Sequence, residues 1–279
     1  MNITSGQGRR DGLRVVSPNA EPDEAALASD PQNLAIEVVG ARLDYPLGSF
    51  SRGSLKSAVI SLFGQGEKKV KPVHVSAIRG IDFRISFGER VGLIGHNGSG
   101  KSSLLRVLAG IYPLASGDVT VTGRIGTLLD IGLGFEGEAT GRENIYYRGM
   151  TMGFSRARMK EVEEEIVAFA GLGEFIDMPM RTYSAGMYVR LGFAISTQFT
   201  PDILLVDEVF GAGDAAFAKH ALQRMTAIVA NSGIFVMATH DVALVEKICT
   251  RVIWLERGEI YRDGPPSAVI PEYVRHMST

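Results

Sequence analysis

The chain has 279 residues, of which 45% are hydrophobic, so it is long enough for one large domain with a sizeable core or a domain with a tail. A formal net charge of -2 and a sequence pI near 6.2 give no bulk signal for a nucleic-acid partner. The single cysteine, Cys249, excludes an internal disulfide and suits a reducing setting, and no apolar run is long enough to cross a bilayer.

Residues 1–33 are rich in Gly, Ser, Pro, Asp and Asn and are expected to be disordered, because they carry too little apolar surface to offset ordering entropy. Arg9 and Arg10 are not followed by an apolar stretch, so this end does not read as a signal peptide. A folded domain is expected over 34–279. Ile36 to Tyr45 reads as a strand, and an insertion at about 46–72 follows, with a short amphipathic piece from Ser54 to Phe63. Ile81 to Phe87 and Arg90 to Ile94 read as strands, Lys101 to Ala109 as a helix, and Asp118 to Leu129 as short strands. Arg142 to Ala170 is mostly helical with a break near Gly153, and Ala185 to Gln198 is helical. Then come a strand at Ile203 to Val206, a helix over about Ala215 to Ala230, a strand at Ile234 to Ala238, and a helix over Val242 to Cys249. A hairpin (Val252 to Leu255 with Glu259 to Arg262) and a helix over Pro266 to His276 close the pattern. Strands alternating with helices predict an α/β fold with a mainly parallel core sheet.

The strongest local signal is Gly95-His96-Asn97-Gly98-Ser99-Gly100-Lys101-Ser102, which fits G-x-x-x-x-G-K-S/T between an apolar strand and a helix. Glycines let the backbone curl so that its N–H groups face a phosphate, and the following helix N-terminus adds the positive end of its dipole. Lys101 would reach the β- and γ-phosphates of ATP and the Ser102 hydroxyl would ligate Mg²⁺, with Ser103 beside it in the nucleotide-binding set. A bare Gly-rich strand-to-helix turn is the plain alternative. Ile203 to Val206 runs into Asp207 and Glu208. A buried strand delivers such acids to the sheet's C-terminal edge, where Asp207 can hold Mg²⁺ and Glu208 can act as general base on water. Many strands end in solvated acids, so this pair gains its meaning only beside the phosphate loop.

Tyr183-Ser184-Ala185-Gly186-Met187 precedes a helix leading to the Asp207 strand, and His240 follows the strand ending at Ala238. In this order of motifs the chain resembles the ABC ATPases. The resemblance implies a P-loop NTPase of ABC type: a RecA-like core with a mainly parallel sheet, an antiparallel β subdomain and a helical signature subdomain. The usual signature is Leu-Ser-Gly-Gly-Gln; here Ser184 and Gly186 are kept and the other three positions differ. Ser184 and the neighbouring amides would then clamp the γ-phosphate of ATP held by a second copy, although a plain Ser N-cap reads the same way. His240 would be the switch histidine that senses the γ-phosphate. Asp214, after Gly213, would couple the two sites across the dimer, or cap a helix. Tyr45 would stack on adenine, or serve as a core or edge aromatic. The family's Mg²⁺-ligating glutamine is absent between Gly110 and Gln198; Asp130 lies near that position and could ligate Mg²⁺, or be a loop acid.

Within the family, Tyr183 to Leu191, Gly134-Phe135 with Thr140 to Ile145, and Gly213 to Phe217 resemble the subunits that export O-antigen, capsule and teichoic-acid polysaccharides. This branch implies a homodimer that hydrolyses ATP at the cytoplasmic face of the cell membrane. It would drive a separate polytopic permease that handles the lipid-linked polysaccharide, with no nucleic acid involved. Some members carry a C-terminal carbohydrate-binding domain, for which no room is expected after Tyr273. Three other readings stand beside it: an ABC exporter ATPase for another cargo, a soluble ABC protein acting on ribosomes or DNA, and a regulatory subunit that does not hydrolyse. Soluble ABC proteins usually carry two ATPase units or a long coiled coil, which this chain lacks. Lys101, Asp207, Glu208 and His240 together argue against a silent subunit.

Overall fold

The computed structural model describes residues 14–16, 34–47, 73–129, 131, 134–207 and 215–278. The strands are β1 (Arg14–Val16), β2 (Ala35–Leu47), β3 (Val73–Ser86), β4 (Arg90–Ile94), β5 (Ser116–Thr122), β6 (Ile125–Leu128), β7 (Ile203–Asp207), β8 (Ile234–Ala238), β9 (Arg251–Glu256) and β10 (Glu259–Gly264). The helices are α1 (Lys101–Leu108), α2 (Gly141–Thr151), α3 (Arg156–Ala170), α4 (Ala185–Ser196), α5 (Ala215–Asn231), α6 (Val242–Ile248) and α7 (Pro266–Met277). Two short 3₁₀ turns, Gly173–Asp177 and Met180–Thr182, lie between α3 and α4.

Two sheets form the body. One has the order β10-β9-β4-β8-β7-β6, parallel from β9 to β6, with only β10 antiparallel. The other has the order β1-β5-β2-β3, antiparallel apart from the β1–β5 pair. The near-continuous apolar runs of β7 and β8 follow from burial on both faces. Successive side chains point to opposite sides, so Ile203, Leu205, Ile234, Val236 and Ala238 join the core under the antiparallel sheet and α1. Leu204, Val206, Phe235 and Met237 join a second core closed by α5, α6 and α7. Burial of each of these Val, Leu, Ile, Phe and Met side chains contributes about 1.5–3 kcal/mol. Cys249 is part of that second core, and burial pushes its thiol up to about 12, well away from a reactive thiolate.

A third core belongs to the helical layer. Ile145, Met159, Val162, Ile166, Ala170, Leu191 and Ile195 pack α2, α3 and α4 together. The start of α2 is a capping box: Glu143 N donates to Thr140 Oγ1 at 3.1 Å, and Thr140 N donates to Glu143 Oε2 at 2.8 Å. The hydrogen bonds that Thr140 N and Thr140 Oγ1 donate to Glu143 Oε2 hold the Glu143 carboxyl below its usual range. Thr140→Ala is expected to cost about 1 kcal/mol of stability, read as a lower midpoint in urea unfolding; an unchanged midpoint would show that the cap is redundant.

The element order follows the sequence reading closely, with three differences. Strand β3 begins at Val73 and ends at Ser86, longer than the expected Ile81 to Phe87. Register shifts against β2 between Val38 and Ala41 break the period-two pattern that would reveal it. Within the N-terminal segment read as disordered, Arg14, Val15 and Val16 pair with Thr120, Val121 and Thr122 of β5. Two β-branched residues beside an open strand edge suffice for such a pairing, but three residues leave no periodic signal. Pro46 and Leu47 continue β2 opposite His74 and Val73, and the rest of the expected insertion lies outside the described residues.

Candidate functional site

The register of the parallel sheet decides what meets at its edge. Leu93 of β4 pairs with Ala238 of β8, and Ala238 pairs with Asp207 of β7. The loop after β4, the acid at the end of β7 and His240 just past β8 therefore leave three adjacent strands at the same carboxyl edge. Asp207 has the strand parity of Ile203 and Leu205, so it lies on the face packed against α1, the helix that begins at Lys101 and carries Ser102 and Ser103.

The loop itself has the form of an anion cradle. Gly95, Gly98 and Gly100 have φ of 145°, 81° and 108°, and Gly100 leads into α1 in a left-handed conformation. A Cβ at Gly95 would fall on Leu255 O, whereas one at Gly98 would meet nothing within 4 Å. Asn97 and Gly98 are exposed at the tip; His96 and Gly100 are half-buried. Lys101 is buried, with Nζ donating to Gly95 O at 2.7 Å and His96 O at 3.1 Å. Ser99 is fully buried and its Oγ has no hydrogen-bond partner. Its carbonyl accepts from Gly258 N at 2.9 Å, and Gly258 O accepts from Arg79 N at 2.9 Å. The turn between β9 and β10 thus backs the loop. Arg257 and Gly258 both take positive φ, 51° and 85°, as a two-residue turn of type I′ requires.

Tyr45 lies against α1. It is half-buried, its ring meets Tyr112 edge-on at 5.7 Å, and its hydroxyl lies 3.0 Å from Ser103 Oγ. The aromatic therefore belongs partly to the core and partly to the helix that follows the loop. His240 is exposed, next to Asp241, whose carboxylate accepts from Leu244 N at 3.0 Å and caps α6. Ser184 belongs to the helical layer rather than the sheet edge. It caps α4, its Oγ accepting from Met187 N at 3.3 Å, and a Cβ at Gly186 would make only an ordinary contact with that Oγ, at 3.9 Å. Glu208, Asp214 and Asp130 lie outside the described residues.

Ser102 and Asp207 offer a hydroxyl and a carboxylate oxygen on one side of the sheet, a hard-oxygen donor pair that fits Mg²⁺ completed by phosphate and water. The positive-φ glycines and the buried Lys101 fit a polyphosphate in the same place. The model of the ABC transporter family matches residues 78–211, from inside β3 past the end of β7. The chain is 43% identical over 225 residues to the O-antigen export system ATP-binding protein RfbE of Yersinia enterocolitica, covering 80% of this chain and 94% of that protein. The chain belongs to the ABC transporter ATP-binding family.

A second relative, the O-antigen export system ATP-binding protein RfbB of Myxococcus xanthus, is 46% identical over 204 residues, or 73% of this chain. The chain spans only 47% of that relative's length. Among solved structures, the ATP-binding cassette MJ0796, a dimer in a post-hydrolysis state bound to ADP and Pi, superposes with a TM-score of 0.62 at 19% identity. That match covers 83% of this chain and 98% of the other, and it shows the shared fold.

Several residues that organise this cassette escape sequence reading. Asn144 is fully buried in α2; its Oδ1 accepts from Glu136 N, and its Nδ2 donates to Glu136 O, Ala139 O and Thr140 O. It fixes the loop whose carbonyls at Gly137 and Ala139 accept from Arg181 N and Met180 N, just before the signature. Tyr183 fills the position of the usual signature leucine; it is buried, and its hydroxyl donates to Phe175 O at 2.7 Å. Arg142 bridges Asp177, Glu163 and Glu164, which ties α2 to α3 and to the first 3₁₀ turn and raises its own pKa. In the sequence these residues stand only within two stretches of family likeness, Thr140 to Ile145 and Tyr183 to Leu191, neither of which shows the contacts they make.

Proposed function

We propose that this chain is the ATP-hydrolysing subunit of an ABC exporter that moves a lipid-linked polysaccharide across the cytoplasmic membrane. The observation that carries the cargo is the 43% identity to an O-antigen export subunit along 94% of that protein. The chemistry rests on the joint arrival of the phosphate loop, Asp207 and His240 at one sheet edge.

In this reading ATP lies against Gly95, His96, Asn97, Gly98, Ser99 and Gly100, whose backbone N–H groups hold its phosphates. The Lys101 ammonium leaves its loop carbonyls to meet the β- and γ-phosphates, and Ser103 lies along the same helix turn. Ser102 and Asp207 would hold Mg²⁺, with Asp130 as a further carboxylate; the ion would neutralise charge on the phosphate oxygens. Glu208 accepts a proton from the attacking water, and His240 hydrogen-bonds the γ-phosphate. Tyr45 supports the adenine. Two copies close head to tail, so that Ser184 and Gly186 of each complete the site of the other and Asp214 joins the two. The domain is 34–279 with Arg14–Val16 paired onto its sheet, its helical layer faces a separate polytopic permease, and the chain sits peripherally on the cytoplasmic face. Among the described residues no helix is long and apolar enough to cross a membrane, so the helices described supply no span.

The test replaces wild type with Glu208→Gln in the native host, followed by cell fractionation. Lipid-linked glycan is expected to accumulate on the cytoplasmic side while surface glycan is lost. Normal surface glycan with confirmed expression of the variant would remove the polysaccharide cargo and favour another exported substrate.

A further inference from the structure

The backing of the phosphate loop contains an acid that an anion site should avoid. β9 pairs with β4, Trp254 lying opposite Ile94, so Glu256 leaves its strand beside the start of the loop. Its Oε1 is 3.4 Å from Nε2 of His96, and its Oε2 is buried without a hydrogen-bond partner. It cannot swing away with its turn, because Gly258 is bonded both to Ser99 and to Arg79. Solvent weakens the arginine beside it: Arg257 Nε is 3.9 Å from Oε1, but its side chain is 81% exposed. The carboxylate's charge is felt in the surroundings, since Tyr273 has a raised pKa, through burial first and then through Glu256. The loop's own contact with this acid is the His96 ring. Its Nδ1 lies 2.7 Å from Asn97 O, so both ring nitrogens face oxygen acceptors, and its backbone carbonyl takes a hydrogen bond from Lys101 Nζ at 3.1 Å.

We propose that His96 screens the fixed Glu256 carboxylate from the triphosphate, and that this pair sets the nucleotide affinity of the cassette. The reason is Coulombic. A half-buried negative charge beside the loop that receives phosphates opposes them more than it would in bulk water. An imidazole that faces the carboxylate with one edge and the loop with its backbone stands between the two and limits that opposition. The proposal rests on the ATP-binding reading of the loop and adds a residue, Glu256, that lies outside the phosphate-binding set.

The experiment titrates the full chain with a fluorescent ATP analogue in four forms: wild type, His96→Ala, Glu256→Gln and the double variant, with thermal melting of each. His96→Ala is expected to weaken binding by about tenfold, a loss of ~1.4 kcal/mol. Adding Glu256→Gln should return affinity to within about threefold of wild type, and Glu256→Gln alone should bind at least as tightly as wild type. His96→Gln serves as the second variant should alanine lower the melting temperature. Overturning results are specific. Equal weakening by Glu256→Gln alone, with no recovery in the double variant, would make Glu256 a prop for His96 rather than an opposing charge. Unchanged affinity in His96→Ala would remove the screen altogether. A wild-type chain that does not bind the analogue would defeat the ATP-binding reading itself, a separate outcome from either.

Discussion

Glu208→Gln is expected to lower ATP turnover by about 10²–10⁴-fold while ATP stays bound, so that a closed dimer accumulates. The amide keeps the size of the carboxylate and can still hold water, but it does not accept the proton that water must lose as it attacks the γ-phosphate. The groups proposed to bind ATP are untouched: the loop backbone, Lys101, and the Ser102 and Asp207 oxygens. Binding and hydrolysis should therefore separate in one variant. Phosphate release measures the first effect. Size-exclusion chromatography in ATP and Mg²⁺ measures the second, as a shift from monomer to dimer that wild type shows only briefly. Normal turnover would remove the base role from Glu208. Lost turnover with no dimer would leave the base role standing and weaken the proposed sharing of ATP between Ser184 of one copy and the loop of another.

The legible parts of this chain are those whose signal is local. The phosphate loop carries its glycines, lysine and serine within Gly95 to Ser102, and β7 and β8 announce themselves as apolar runs because both their faces are buried. Their order along the chain also foretold that Asp207 and His240 would reach one edge, since parallel strands present their C-terminal ends together. What stayed hidden depends on pairings between distant positions. His96 and Glu256 are separated by 160 residues, and nothing in either neighbourhood marks them as partners. Asn144 looks like any polar residue on a helix until its four hydrogen bonds to the preceding loop are seen. The first strand was missed because three residues are too few to show a period. Tyr183 read as a departure from the signature, yet a buried ring with a bonded hydroxyl does the anchoring work of a leucine in a different way.

Gly95→Ala is expected to be the most damaging single methyl group in the loop. Gly95 has a φ of 145°, where an L side chain is strained, and the added Cβ would fall on Leu255 O and lie 2.6 Å from Ser99 Oγ. The strain alone is of order 1–3 kcal/mol. The clash adds to it, because Leu255 is held in β9 and Ser99 is held by Gly258, so neither neighbour gives way easily. The loop must then shift as a unit, carrying off the carbonyl of Gly95 that accepts from Lys101 Nζ. ATP affinity should fall by at least about tenfold, with a lower melting temperature. Gly98→Ala is the informative contrast. It also takes a positive φ, 81°, but a Cβ there meets nothing within 4 Å, so only the strain of about 1–2 kcal/mol remains. Titration with the fluorescent ATP analogue, together with thermal melting, should rank wild type above Gly98→Ala and Gly98→Ala above Gly95→Ala. Were the two variants equally impaired, the backing of the loop by β9 would have no part in shaping the phosphate cradle, and positive φ alone would explain its glycines.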